Sequence, residues 1–232
     1  MQTDTVPTRE QIKQIWMRQL VFLPVFFALL FAAAWTLDYW QAWVYGAIFV
    51  GMSSAIGIYF LQRDPKVIAR RIKAGPAAES EPTQKIIMSI VLIGFAALIV
   101  VPGFDRRWHW SSVPAWLSLV SDALVVLGLL GTALVVRQNS YAASTITVEE
   151  NQPVVSTGLY GVVRHPMYAA ALLLVVFTPL ALGSSWSLLI VPLLIPALAW
   201  RLLDEERYLK VHLPGYAAYC EKVRWRLVPG IW

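Results

Sequence analysis

At 232 residues, with 58% hydrophobic and only 14% charged side chains, the chain is too apolar for a water-soluble domain of its length. Its net charge of +5 is distributed in a way that speaks for membrane topology and contact with anionic lipid, so nucleic acid is not an expected partner. The single cysteine, Cys220, excludes an intramolecular disulfide and has no CxxC or His-rich surroundings that would suggest a metal.

In chain order, the first apolar run begins at Leu20 and extends at full spanning length to Leu37, which predicts a retained helix and not a cleaved leader. Ala42 to Leu61 and Ile86 to Phe104 follow, each without an ionisable side chain and each near the roughly 20 residues needed to cross about 30 Å of hydrocarbon. Val113 to Val136 is a fourth span interrupted only by Asp122. A carboxylate at that depth is a functional candidate by default, or else a group hydrogen-bonded to a neighbouring helix or protonated, with Ser118 and Ser121 nearby in sequence. Met167 to Trp200 runs 34 residues without a charge, too long for one crossing, and predicts a helical hairpin turning near Gly183, Ser184 and Ser185. The expected fold is therefore all-α: a polytopic integral membrane protein with four transmembrane helices, a C-terminal membrane hairpin and a cytoplasmic tail.

Basic residues set the orientation. Three Lys or Arg precede Leu20, six lie between Gln62 and Lys85, two between the third and fourth spans, two in 137–166 and six from Arg201 onward. With a cytoplasmic N-terminus and a hairpin at the end, 17 of the 19 sit inside, as the positive-inside rule expects. Both termini are then cytoplasmic.

Two polar regions meet at that surface. The connection from Arg137 to His165 is longer than links in compact bundles usually are, which points to a function. It carries Asn139-Ser140-Tyr141, the strip Gln152-Pro153-Val154-Val155, and Tyr160 ahead of Arg164-His165-Pro166-Met167-Tyr168. The second region is Arg201-Leu202-Leu203-Asp204-Glu205-Glu206, followed by Gly215-Tyr216 and the tail from Arg224 to Trp232. Arg201 and Glu205 are four apart on a helix and share a face; they can pair, or both can address a ligand, and Arg before Glu is the weaker order for a pair. Pro166 biases His165 towards extended backbone and opens the next helix, whose free N–H groups can receive a carboxylate. Taken singly, His165 fits a capping or interfacial residue, and Tyr160 and Tyr168 fit belt aromatics.

An Arg-His-Pro-x-Tyr segment opening a hairpin, Arg-x-x-x-Glu-Glu-x-x-Leu closing it and Gly-Tyr-x-x-Tyr beyond resemble the isoprenylcysteine carboxyl methyltransferase family and its phospholipid methyltransferase relatives. The resemblance covers roughly Asn139 to Trp232. It implies two regions, with spans in 1–136 and the methyltransferase site in 137–232. It further implies an S-adenosylmethionine pocket on the cytoplasmic side lined by Gln152, Pro153, Val154, Val155, Tyr160, His165, Pro166, Met167, Tyr168 and Glu205. Arg201 would be the catalytic residue on the acceptor side, orienting a carboxylate or phosphate by forked hydrogen bonds. The acceptor would be lipophilic, most simply the carboxylate of an isoprenylated thiol, reached sideways from membrane lipid. Where such proteins often have Gly two residues after the motif tyrosine, this chain has Ala170, which would displace the pocket if helices must approach closely there.

Methyl transfer from a sulfonium is an in-line displacement, so it asks for positioning in a water-poor site and needs no covalent catalyst. The absence of GxGxxG between a strand and a helix excludes a soluble Rossmann-type methyltransferase. The alternatives are a phospholipid N-methyltransferase, an NADPH-dependent sterol-type reductase, whose tails resemble Tyr216-x-x-Tyr219-Cys220 and Arg224 to Ile231, and a transporter or scaffold. Transporters place ionisable groups near the bilayer midplane, whereas here the polar clusters lie at one edge.

Overall fold

The computed structural model describes residues 8–232 apart from 73, 80, 143 and 144. Eight α-helices order it: α1 (Arg9–Ala34), α2 (Trp40–Arg63), α3 (Pro65–Ile72), α4 (Pro82–Trp108), α5 (Ala115–Gln138), α6 (Pro166–Ala181), α7 (Val191–His212) and α8 (Tyr216–Lys222). The protein is a polytopic membrane protein. Helices α2, α4, α5 and the run Trp186–His212 are long and apolar enough to cross on their own, while the apolar parts Leu20–Ala34 and Pro166–Ala181 are shorter.

Every expected apolar segment is helical, with one boundary corrected. The first helix stops at Ala34, short of Leu37, because Trp35 turns to a left-handed φ of 56° and Trp35 and Leu37 swing outward. The hairpin turns where the sequence places it. Gly183 takes a φ of 73°, which ends α6 and reverses the chain into a short 3-10 turn at Trp186–Ile190 before α7. Within the basic connection between Gln62 and Lys85, α3 begins at Pro65, in the first helical position after Asp64, and carries Lys66, Arg70 and Arg71.

Small residues bring the helices together, as packing in lipid requires. A Cβ on Gly103 of α4 would meet Ala33 Cβ at 2.6 Å, so α1 and α4 cross there at close range. Helices α5 and α6 share the most extensive contact of the molecule. A Cβ on Gly128 would lie 3.1 Å from the carbonyl oxygen of Ala170. The close approach that a glycine at position 170 would allow is thus supplied from α5, and Ala170 stays buried in the seam.

One end of the bundle is tied by polar side chains. Asp105 accepts from Ser111 N–H at 2.7 Å and from the hydroxyls of Ser111 and Ser184, and Tyr39 donates to Leu182 O at 2.5 Å. These bonds pin the hairpin turn to the end of α4. Around the same end Trp35, Trp40, Trp43, Trp108, Trp110, Trp116 and Trp186 are exposed, the aromatic belt of a membrane boundary. Asp122 is buried in α5, and neither carboxylate oxygen has a hydrogen-bond partner among the described residues. Ser118 does not serve it, donating instead to Leu180 O at 2.9 Å.

Candidate functional site

The opposite end holds the site, and its backbone explains why. Past α5 the chain is folded by its own polar side chains: Asn139 Oδ1 accepts from Tyr141 N–H, and Gln138 Oε1 accepts from Leu159 N–H at the start of a 3-10 turn, Gly158–Gly161. Asn139 Nδ2 donates to the Tyr160 hydroxyl at 3.2 Å. The segment then pairs with the C-terminal tail, Arg164 N–H to Trp225 O and His165 N–H to Arg226 O, both at 2.9 Å. Pro166 opens α6 directly after this pairing.

Glu206 organises the crossing. Its carboxylate receives Arg164 Nη1 at 3.1 Å and Arg226 Nε at 3.1 Å and lies 3.3 Å from His165 Nε2, with only 3% of the residue exposed. Arg164 also donates from Nε to Val223 O and from Nη2 to Cys220 O, each at 2.6 Å. One guanidinium therefore joins α7, α8 and the entrance to α6. Tyr219 adds a bond from its hydroxyl to Tyr160 O at 2.7 Å.

Beside this knot lies a cavity of about 470 Å³ that extends from the 139–155 connection down between α4, α5, α6 and α7. The size is typical of a small-molecule site. All eleven residues singled out in the sequence line it: Gln152, Pro153, Val154, Val155, Tyr160, His165, Pro166, Met167, Tyr168, Arg201 and Glu205. Its polar wall centres on Glu205, whose Oε2 accepts from the Tyr168 hydroxyl at 2.7 Å. Burial pushes the Tyr160 hydroxyl up to about 12, with the Glu205 charge adding to the effect, so this phenol stays protonated as a donor. Deeper in, Met88, Val91 and Phe95 of α4 and Leu198 of α7 make the wall apolar.

Arg201 has partners that sequence spacing did not identify. Nη2 pairs with Glu79 at 2.8 Å and Nη1 donates to Gln84 Oε1 at 2.7 Å, while Gln84 Nε2 donates in turn to Asp204. Both partners are buried; Glu79 lies just before α4 and Gln84 in its first turn. The open alternative for Arg201 and Glu205 thus has a third component, a counter-ion from the other half of the chain. The roof is tied down from α3. Arg70 forms a two-point pair with Glu149 at 2.7 and 2.9 Å and donates to Ser140 O, and Arg71 Nη1 donates to Ala142 O at 2.7 Å.

Sequence reasoning missed Glu206, Glu79, Gln84 and the two arginines of α3 as parts of this region. For Glu206 a signal existed. Adjacent residues on a helix point about 100° apart, so the second Glu of the Glu205-Glu206 pair faces the Arg164-His165 segment if the first faces the cavity. Glu79 and Gln84 had none, since nothing local marks a residue that pairs more than a hundred positions away.

Comparison with known proteins finds likenesses over part of the chain. Residues 116–213 match the family model described as phospholipid methyltransferase, from the start of α5 to the end of α7. The chain is also 32% identical over 109 residues to the cobalt-zinc-cadmium resistance protein CzcN of Cupriavidus metallidurans, covering 44% of this chain and 48% of that protein. The chain thus matches about half the length of that curated relative.

Proposed function

We infer, from a membrane protein whose residues 116–213 match the phospholipid methyltransferase family model, that the cavity holds S-adenosylmethionine and a lipophilic methyl acceptor. The observation that carries this reading is the composition of the cavity itself: one polar wall of Glu205, Tyr168 and Tyr160 continues into an apolar one without a break. The residues fit the cofactor. Glu205 and the Tyr160 phenol suit its hydroxyl and amine groups, and Pro153, Val154, Val155 and Met167 line the cavity with apolar surface for the purine. The buried Tyr216 hydroxyl, which lines the cavity and has no oxygen or nitrogen partner among the described residues, supplies one further donor.

When bound, the cofactor supplies a methyl group activated for in-line displacement. The protein's part is orientation and exclusion of water. Residues 139–142 and 145–155, bonded to Arg70 and Arg71, cover the polar wall. Arg201, held by Glu79 and Gln84 one helical turn deeper than Glu205, lies on the side from which a lipophilic acceptor arrives. An isoprenylated thiol bearing a carboxylate is the acceptor favoured by a guanidinium at that depth, since its planar charge matches the two oxygens of a carboxylate. Phospholipid N-methyl transfer is the second reading, favoured by the family description of the matched segment. His165 acts through Glu206 in this scheme, as a support of the α6 start.

Glu205→Ala should weaken S-adenosylmethionine binding to detergent-purified protein about ten- to a hundredfold by calorimetry, the loss expected for one hydrogen bond to a charged group. Unchanged affinity would remove the assignment of the cavity to this cofactor. The reading also places the cavity on the cytoplasmic face, for which the 17-to-2 division of basic residues is the support. A reporter fused after Trp232 should accordingly be active only in the cytoplasm; activity on the other side would reverse the sidedness.

A further inference from the structure

A second, smaller cavity of about 230 Å³ lies between α2, α3 and α5. Its floor is apolar, built from Ile56, Phe60, Leu129, Ala133 and Val136, and it meets the main cavity at a wall that both share, Arg71 and Thr132. Among the described residues Arg71 is the only ionisable group on that floor or wall. Its one hydrogen bond among the described residues runs from Nη1 to Ala142 O, and no described carboxylate pairs with it. This sets it apart from the other arginines around the site. Arg70, Arg164, Arg201 and Arg226 each have a carboxylate within 3.1 Å.

A guanidinium that is always charged, set beside an apolar groove and lacking a counter-ion, is complementary to a molecule with one anionic group and a long apolar tail. We propose that Arg71 receives an oxyanion of the methyl acceptor other than the group that is methylated, a carboxylate or phosphate, while its chain occupies the α2–α3–α5 groove and its reactive end reaches the main cavity past Thr132. This deepens the methyltransferase reading and rests on it for the word acceptor. The groove belongs to the part of the chain outside the matched segment 116–213, apart from its α5 wall.

The groove has room for a test by filling. A Cβ placed on Gly57, which lines it, meets nothing within 4 Å, so Gly57→Leu introduces a side chain into open space and leaves Arg71 untouched. The full-length protein in detergent would be titrated with radiolabelled palmitate, hexadecyl phosphate and hexadecanol, and separately with S-adenosylmethionine by calorimetry. The wild type should bind the two anions more tightly than the alcohol. Arg71→Ala should weaken the anions about ten- to a hundredfold and leave hexadecanol unchanged, while cofactor affinity falls by less than anion affinity, because the connection above the cavity keeps its bonds to Arg70. Arg71→Lys should fall between, and Gly57→Leu should weaken all three amphiphiles together. Preference for hexadecyl phosphate or for palmitate names the headgroup, and either order supports the site. Equal anion binding by wild type and Arg71→Ala overturns the proposal, as does loss of cofactor affinity with amphiphile binding intact, which would assign Arg71 to the cofactor's carboxylate. Gly57→Leu binding like wild type removes the groove. If the wild type fails to bind S-adenosylmethionine yet discriminates the anions through Arg71, the methyltransferase reading fails and the anion site stands.

Discussion

Glu206→Ala should lower stability by about 3–5 kcal/mol, the cost of leaving buried cations without their counter-charge. Three groups converge on that carboxylate, Arg164, Arg226 and His165, and the first is only 11% exposed at its side chain. Without Glu206, Arg164 keeps its carbonyl partners Val223 and Cys220 but loses the charge that offsets its desolvation. The contact between the tail and the start of α6 should loosen, and cofactor binding should disappear with it, although Glu206 does not line the cavity. Thermal unfolding followed by tryptophan fluorescence reads the first effect and calorimetry the second. Glu206→Gln keeps the shape without the charge and should fall between. A melting temperature within a degree or two of wild type for Glu206→Ala would mean that water already screens the cluster.

Arg201→Ala should abolish most methyl transfer and also destabilise the protein by about 3–5 kcal/mol, because Glu79 would be left buried and unpaired. Two roles of one residue have to be separated. The double variant Glu79→Gln with Arg201→Met removes both charges, and replacing a buried ion pair in this way is often neutral. It should regain most of the stability and none of the transfer. Arg201→Lys should keep the ion pair in part yet stay impaired, since an ammonium has no planar fork. Recovery of transfer in the double variant would reduce Arg201 to a structural strut, and loss of cofactor binding alone would reverse the division between Glu205 and Arg201.

The fold was legible because a bilayer imposes its length on every helix, so charge-free runs such as Ile86 to Phe104 announce themselves and the hairpin turn follows from 34 apolar residues that are too many for one crossing. The end of α1 was not, since a left-handed Trp35 leaves no mark in hydropathy. At the site, residues near one another in sequence and on one helix face, such as Arg201 and Glu205, could be grouped by periodicity. The gathering of Gln152 to Val155, Tyr160 and the His165 segment around them came from the family resemblance. What could not be read is pairing across the chain. Glu79 meets Arg201, Gln84 meets Asp204 and Arg70 meets Glu149 through folding of the whole bundle, and an acidic residue in a loop looks the same in sequence whether it is solvated or bears a buried charge.

The counter-ion of Arg201 comes from a part of the chain that the matched segment does not include. Anyone grafting residues 116–213 onto another scaffold would therefore transplant a buried cation along with Glu205 and Tyr168, and would leave behind the Glu79 carboxylate that pairs with it. Such a hybrid should express poorly until an acid is rebuilt at the position of Glu79 and an amide at that of Gln84. The portable unit is the segment together with the first turn of α4 and the residues that lead into it.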